Sequence, residues 1–167
     1  MNGIEELCPK CGLCCDSTLF ADVELQRGDD PKKLAALGVP LMQKTRTKLA
    51  FPQPCSCFDG RLCQIYADRP QRCRAFDCGL LKRVNAGELT VPAALKQITA
   101  ARRQANKVRT LLQTLGQRDT TQPLTHRYQE AMCAPVDLAH KNNAEKQGKL
   151  MLAVTELMTR LQRDFLR

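Results

Sequence analysis

Ten of the 167 residues are cysteine, and nine of the ten lie in the first 78 positions; these are the side chains whose type and spacing can do chemistry. One group is Cys8-Pro-Lys-Cys11-Gly-Leu-Cys14-Cys15, and a second runs through Cys55, Cys57, Cys63, Cys73 and Cys78. Thiolate is the soft ligand that selects zinc, iron–sulfur clusters or Cu(I), and a spacing of two residues lets neighbouring sulfurs converge on one centre. A disulfide framework is the other use of an even number of cysteines, and it belongs to small secreted chains. The opening Met1-Asn-Gly-Ile-Glu-Glu has neither the basic segment nor the apolar run of a secretory leader, so a cytoplasmic chain with reduced thiols is expected. Metal is therefore the reading preferred over disulfides.

Cys14 and Cys15 sharpen this. Consecutive side chains diverge, so both sulfurs seldom reach one small ion, and a tetrahedral zinc needs only four ligands. Nine clustered cysteines point to two centres or to one polynuclear centre. The spacing Cys8-x-x-Cys11-x-x-Cys14 matches the first three ligands of a bacterial ferredoxin-type [4Fe–4S] loop and departs from it at Cys15. Two zinc knuckles would use the same letters. The metal-ligating candidates are Cys8, Cys11, Cys14, Cys15, Cys55, Cys57, Cys63, Cys73 and Cys78. Arg61, Arg69, Arg72 and Arg74 accompany the second group. Cations lower thiol pKa values, and their N–H groups can bond to cluster sulfurs and tune a reduction potential. Arg69 and Arg74 are the cofactor-binding candidates on that ground, against the alternative of exposed, solubilising arginines.

The combination Cys8-x-x-Cys11-x-x-Cys14-Cys15 with Cys63-Gln-Ile-Tyr-Ala-Asp-Arg69-Pro-Gln-Arg-Cys73-Arg-Ala-Phe-Asp-Cys78 resembles the YkgJ-type cysteine-cluster family, also called the CxxCxxCC domain and described as zinc- or iron-chelating. The likeness covers about residues 8–78 and includes a middle cysteine, which Cys55 or Cys57 could supply. Flagellin lysine-N-methylases are similar in this motif, and an iron–sulfur cluster is implied for that branch. The resemblance implies a cofactor class, iron–sulfur or iron first and zinc as the alternative, rather than a reaction. On either side stand two functions: redox or metal-dependent modification chemistry, or a non-enzymatic zinc module that binds a partner.

Other residues carry less. Cys133 stands alone in a helical context and is expected to be a buried, inert thiol. His126 and His140 lack ligand spacing to any cysteine pair. Tyr66 and Phe76 are expected as core residues shielding the metal. No Ser/His/Asp arrangement, P-loop or GxGxxG is present, so hydrolase, kinase and Rossmann functions have no support, and no side chain is singled out as catalytic.

These residues must be positioned by the elements around them. The fold class expected is α+β and mostly helical: a small cysteine-rich module with short strands over residues 1–80, and a helical extension over 81–167 packing on it as one compact domain. Leu19 to Leu25 and Thr45 to Phe51 read as strands. Asp30 caps a short helix begun by Pro31 and closed by Gly38. Asp59-Gly60 is a turn, Ile65-Tyr66 a brief extended piece, and Pro70 starts a helical turn carrying Cys73. From about residue 90 an apolar stripe (Val91, Leu95, Ile98, Ala101, Ala105, Val108, Leu112, Leu115) predicts a long helix ended by Gly116. Leu150, Val154, Leu157, Leu161 and Phe165 predict a second long helix, with a short one over His126–Cys133 between them. The long pair should be antiparallel, packed on each other or on the cysteine module.

Charge is uneven. The net charge is +9, with 11 Lys and Arg against 10 Asp and Glu in residues 1–79 and 15 against 7 in residues 80–167. Thiolates on dications would turn the first half acidic and make the molecule bipolar. The basic residues are dispersed rather than run together, and there are five Phe, two Tyr and no Trp. A solvated basic surface is thus expected rather than a nucleic-acid site. A protein partner or redox donor remains open. No stretch approaches the roughly 18 apolar residues of a membrane span.

Overall fold

The computed structural model describes residues 3–135 and 141–167. His140 lies outside the described residues. The elements run α1 (Gly3–Cys11), β1 (Asp22–Glu24), α2 (Pro31–Ala36), β2 (Met42–Thr45), β3 (Lys48–Pro52), a 3-10 turn (Tyr66–Asp68), α3 (Gln71–Ala75), α4 (Gly79–Asn85), α5 (Val91–Thr114), α6 (Leu124–Cys133) and α7 (Lys141–Asp164). The α+β, mostly helical class is borne out, as are the two long C-terminal helices. None of the described helices is long and apolar enough to cross a membrane.

The helical core follows from the stripes. Ala94, Ile98, Ala101, Ala105, Val108 and Leu112 of α5 are buried at helical spacing, facing Leu150, Ala153, Val154, Leu157 and Leu161 of α7. Gln104 sits within this interface and donates from Nε2 to the Ala153 carbonyl at 2.8 Å, so burying its amide leaves the donor satisfied. Ile98 near the start of α5 and Phe165 just past the end of α7 line one cavity, while Gln104 meets Ala153 further along; the two helices therefore run antiparallel. Leu7 and Leu13 from the first cysteine group are buried in this same core.

A second, smaller core lies under the sheet. The strand order is β1-β3-β2, all antiparallel, with Val23 opposite Phe51 and Gln43 opposite Leu49. Val23 and Phe51 bury against Leu34, Val39 and Cys57. Asp30 caps α2 as expected, its Oδ1 accepting from Lys33 N at 3.0 Å.

Three local expectations are corrected, and two helices, α1 and α4, were not expected. The first cysteine group opens on a helix: Cys8 and Cys11 lie on the last turn of α1. The strand expected over 45–51 is broken by a hairpin turn: Thr45 ends β2, Lys48 opens β3, and the two pair although every β2 residue is exposed and shows no alternation. The first strand is shorter than expected, three residues rather than seven. Ile65-Tyr66 is not an extended piece: Tyr66 opens a 3-10 turn, with Ile65 as the residue that caps it. The helix α4 has no ordinary cap residue in the sequence, since the Cys78 sulfur takes that role, accepting from Leu81 N at 3.4 Å.

Candidate metal centre

Eight cysteines line one cavity of about 870 Å³: Cys8, Cys11, Cys14, Cys15, Cys55, Cys63, Cys73 and Cys78. It lies between the two cores, with Leu13, Leu80 and Ile98 on its helical side and Val23 and Phe51 on its sheet side.

Each thiol is placed by identifiable backbone chemistry. Cys8 and Cys11 are three apart on α1 and share a face. Gly12, at φ +69°, turns the chain out of the helix, and a Cβ there would sit 2.6 Å from Cζ of Phe58. Its carbonyl accepts from Cys15 N at 2.9 Å and Asp16 N at 3.0 Å, which folds Cys14 and Cys15 back over the cavity. Cys15 in turn accepts from Cys55 N at 2.8 Å, joining the two cysteine groups. Asp59 Oδ1 accepts from Arg61 N (2.8 Å) and Leu62 N (2.7 Å), tightening the turn that returns Cys63 opposite Phe58. Cys73 follows Pro70, whose carbonyl accepts from Cys73 N at 3.0 Å.

The loop after Cys15 is clamped to the helices. Arg109 of α5 donates to the Asp16 carbonyl and to Thr18 Oγ1, both at 2.9 Å, and pairs with the Asp16 carboxylate at 3.1 Å. Ser17, held at φ +69°, accepts from Leu124 N at 3.1 Å and so satisfies the start of α6. Arg102 donates to the Lys10 carbonyl at 3.0 Å.

Burial dominates the electrostatics of these thiols. It pushes Cys11, Cys15 and Cys73 up to about 12 and Cys55 up to about 11, and it raises Cys8, Cys14, Cys63 and Cys78 as well. Neighbouring thiolate charge adds to the effect: Cys11, Cys15, Cys78 and Cys8 act on Cys14, while Cys55, Cys73 and Cys63 act on Cys15. Arg69 pulls the other way on Cys8, Cys63 and Cys73. Without a cation the sulfurs are neutral at pH 7; a bound dication converts such thiols to thiolates outright.

The donor set fits a thiophilic group. Its thiols are accompanied in the cavity wall by two carboxylates, both spent on lysines, Asp22 on Lys44 (2.6 Å) and Glu24 on Lys48 (2.7 Å). Gln53 also lines the cavity, 2% exposed, and its Oε1 has no partner in the protein. Among the described residues no three donors stand close enough to clasp one ion as they are, so the sulfurs must draw in around whatever they hold.

The remaining candidates separate. Cys57 does not line the cavity; it is buried in the sheet core and directs its sulfur to the Leu37 carbonyl at 3.6 Å. Cys133 is exposed on α6 rather than buried, which corrects the expectation of an interior thiol, and His126 is exposed on the same helix. Arg69 lines the cavity with its guanidinium 3.6 Å over the Tyr66 ring. Arg74 lies outside it and donates to the carbonyls of Arg69 (2.7 Å) and Ala67 (2.6 Å). Arg61 and Arg72, which accompany the second cysteine group but were not chosen as cofactor-binding, do line it. Tyr66 stands at the rim, 43% exposed, instead of in the core; Phe76 is half-buried, edge-on to Phe20 at 4.9 Å. Gln53 and Phe58 were invisible to motif reasoning, because nothing in a Pro-flanked Gln or a lone Phe signals a cavity wall.

The model of one family, CxxCxxCC, described as "Putative zinc- or iron-chelating domain", matches residues 7–91. That is half of the chain and contains all nine clustered cysteines. Neither the curated proteins nor the solved structures give a match.

Proposed function

The chain belongs to the CxxCxxCC family, and from that premise we propose that it is a thiolate-ligated iron protein, with iron–sulfur as the form of the iron, working in redox chemistry or metal-dependent modification of a partner. The observation that carries this reading is the single cavity lined by eight thiols together with Arg61, Arg69 and Arg72. Several thiolates on one centre leave net negative charge. Arginines at the wall offset it and can donate to sulfur, while apolar residues of both cores form much of the remaining wall. An iron–sulfur group held there would supply electron transfer. The chain's own part is to hold the sulfurs, limit solvent access and balance charge.

The partner proposed is a protein or redox donor rather than nucleic acid. Arg102 and Arg109, two of the cations on α5, are spent on the carbonyls of Lys10 and Asp16 rather than offered to phosphates.

One observation favours zinc as a second reading. The thiols stand between two apolar cores, where a structural ion can take the place of packing. The two readings part on elemental content. Protein purified without oxygen and without an affinity-metal step should contain iron and acid-labile sulfide and absorb broadly at about 400 nm from thiolate-to-iron charge transfer. Colourless protein carrying zinc would replace the iron reading with the structural one, and metal-free protein would overturn both.

A further inference from the structure

We propose that the eight cavity cysteines form two four-thiolate sites, one from Cys8, Cys11, Cys14 and Cys78 and the other from Cys15, Cys55, Cys63 and Cys73, with the Cys14–Cys15 peptide as the wall between them. The proposal rests on the metal-holding reading above and assigns its ligands.

Three observations carry the division. First, the thiols bed on different cores. Cys8, Cys11 and Cys78 pack against the helical core, while Cys55 and Cys73 pack against the sheet core. Second, the backbone ties each end of the pair to its own side. Cys14 follows Leu13, fully buried in the helical core, whereas Cys15 receives the Cys55 N–H at 2.8 Å. Third, consecutive side chains diverge, so one peptide unit, about 3.8 Å between Cα atoms, can send one sulfur to each site. Cys63 joins the second set through its bridge to Phe58, three residues beyond Cys55, with Cys57 accepting from Gln64 N at 2.8 Å. Cys57 itself is left out because its sulfur faces the Leu37 carbonyl. The result has four sulfurs per site, the number a tetrahedral ion or a cubane cluster takes.

The test is a cobalt titration of the full chain, stripped of metal under reducing conditions. The thiolate-to-cobalt charge-transfer band and the tetrahedral d–d bands are followed together with bound cobalt. Wild type should take up about two Co²⁺ per chain, each in a four-sulfur environment. Cys14→Ala and Cys15→Ala should each keep one complete four-sulfur site, about half the full signal, and the double variant should keep neither. Cys57→Ala should match wild type. Cys8→Ala and Cys63→Ala, one from each set and farther from the dividing peptide, serve as a second pair should a change at that peptide unfold the chain. Cobalt bound as a single centre that any one of these four substitutions abolishes overturns the two-site division while leaving the metal-holding reading intact. Loss of a site in Cys57→Ala also overturns the assignment. Wild type that takes up no cobalt overturns the metal-holding reading itself.

Discussion

At the scale of single residues, burial does two opposing things to the cavity thiols. It protects them from solvent, and it makes their ionisation expensive. Cys11, Cys15 and Cys73 are pushed from the ordinary 9.0 up to about 12, chiefly by burial. A thiol that holds its proton more tightly folded than unfolded contributes stability that is fully present below the unfolded value. That contribution is lost as pH rises through the folded one. The metal-stripped protein should therefore lose Tm steadily between pH 9 and 12, and Cys15→Ala should flatten part of that loss; thermal melts across the range check it. A stripped protein whose Tm is level from pH 9 upward would show that the thiols are not held buried. The chemistry of these residues was legible from the sequence because thiolate ligation depends on residue type and close spacing, both written in the chain. Which of Cys55 and Cys57 lines the cavity was not. It depends on which side of an irregular segment meets the sheet core, a matter settled by Val23, Leu34 and Phe51 from elsewhere in the chain. Arg69 and Arg74 were indistinguishable for the same reason: one stacks on Tyr66 at the cavity and the other grips two carbonyls outside it.

At the scale of elements, the turn after α1 decides whether the two cysteine groups meet. Gly12 has to adopt φ +69° and also let the Phe58 ring approach where a Cβ would stand, 2.6 Å from Cζ. Gly38 closes α2 at φ +87° with nothing within 4 Å of its would-be Cβ. The pair separates strain from crowding. Gly38→Ala should cost about 1 kcal/mol, the left-handed penalty alone. Gly12→Ala should cost roughly 2–4 kcal/mol, because the ring must also move, and it should weaken metal binding where Gly38→Ala does not. Denaturant melts and metal content of both variants measure this; equal costs would mean that Phe58 yields freely. The long helices were readable because a stripe at 3.6-residue period states its own burial. The hairpin arm β2 and the helix α4 were not. The arm is exposed throughout and is held by pairing to β3 and by the Lys44–Asp22 contact. The helix is short and begins on a cysteine cap, which no ordinary capping rule anticipates.

At the scale of the whole molecule, the two cores are unequal, and that inequality predicts how the protein responds to losing its metal. The helical core joins α5 and α7 along their full stripes and recruits Leu80, Leu81, Leu124 and Tyr128. The sheet core has five buried residues, Val23, Leu34, Val39, Phe51 and Cys57. A core that small supports a three-stranded sheet poorly without a staple, and metal ligation is one such staple. The clamps from Arg109 to Asp16 and Thr18, and from Leu124 N to Ser17, fasten the loop after Cys15 to the helices but reach no farther than residue 18. Beyond them, residues 20–76 are tied to the helical half chiefly through the cavity itself. Chelation should then release the molecule in parts. Amides of β1, β3 and the segment 55–76 should lose hydrogen-exchange protection by at least about tenfold, since their opening is no longer opposed by ligation. Amides in the middle of α5 and α7, around Gln104 and Ala153, should stay protected, and most of the far-ultraviolet helical signal should remain. Hydrogen exchange of the holoprotein before and after a chelator, resolved by peptide, distinguishes the outcomes. A sheet that stays protected in metal-free protein would mean that its five-residue core suffices. Simultaneous loss in α5 and α7 would mean that the cavity is the keystone of both halves, and that the antiparallel helices cannot hold their stripes together without it.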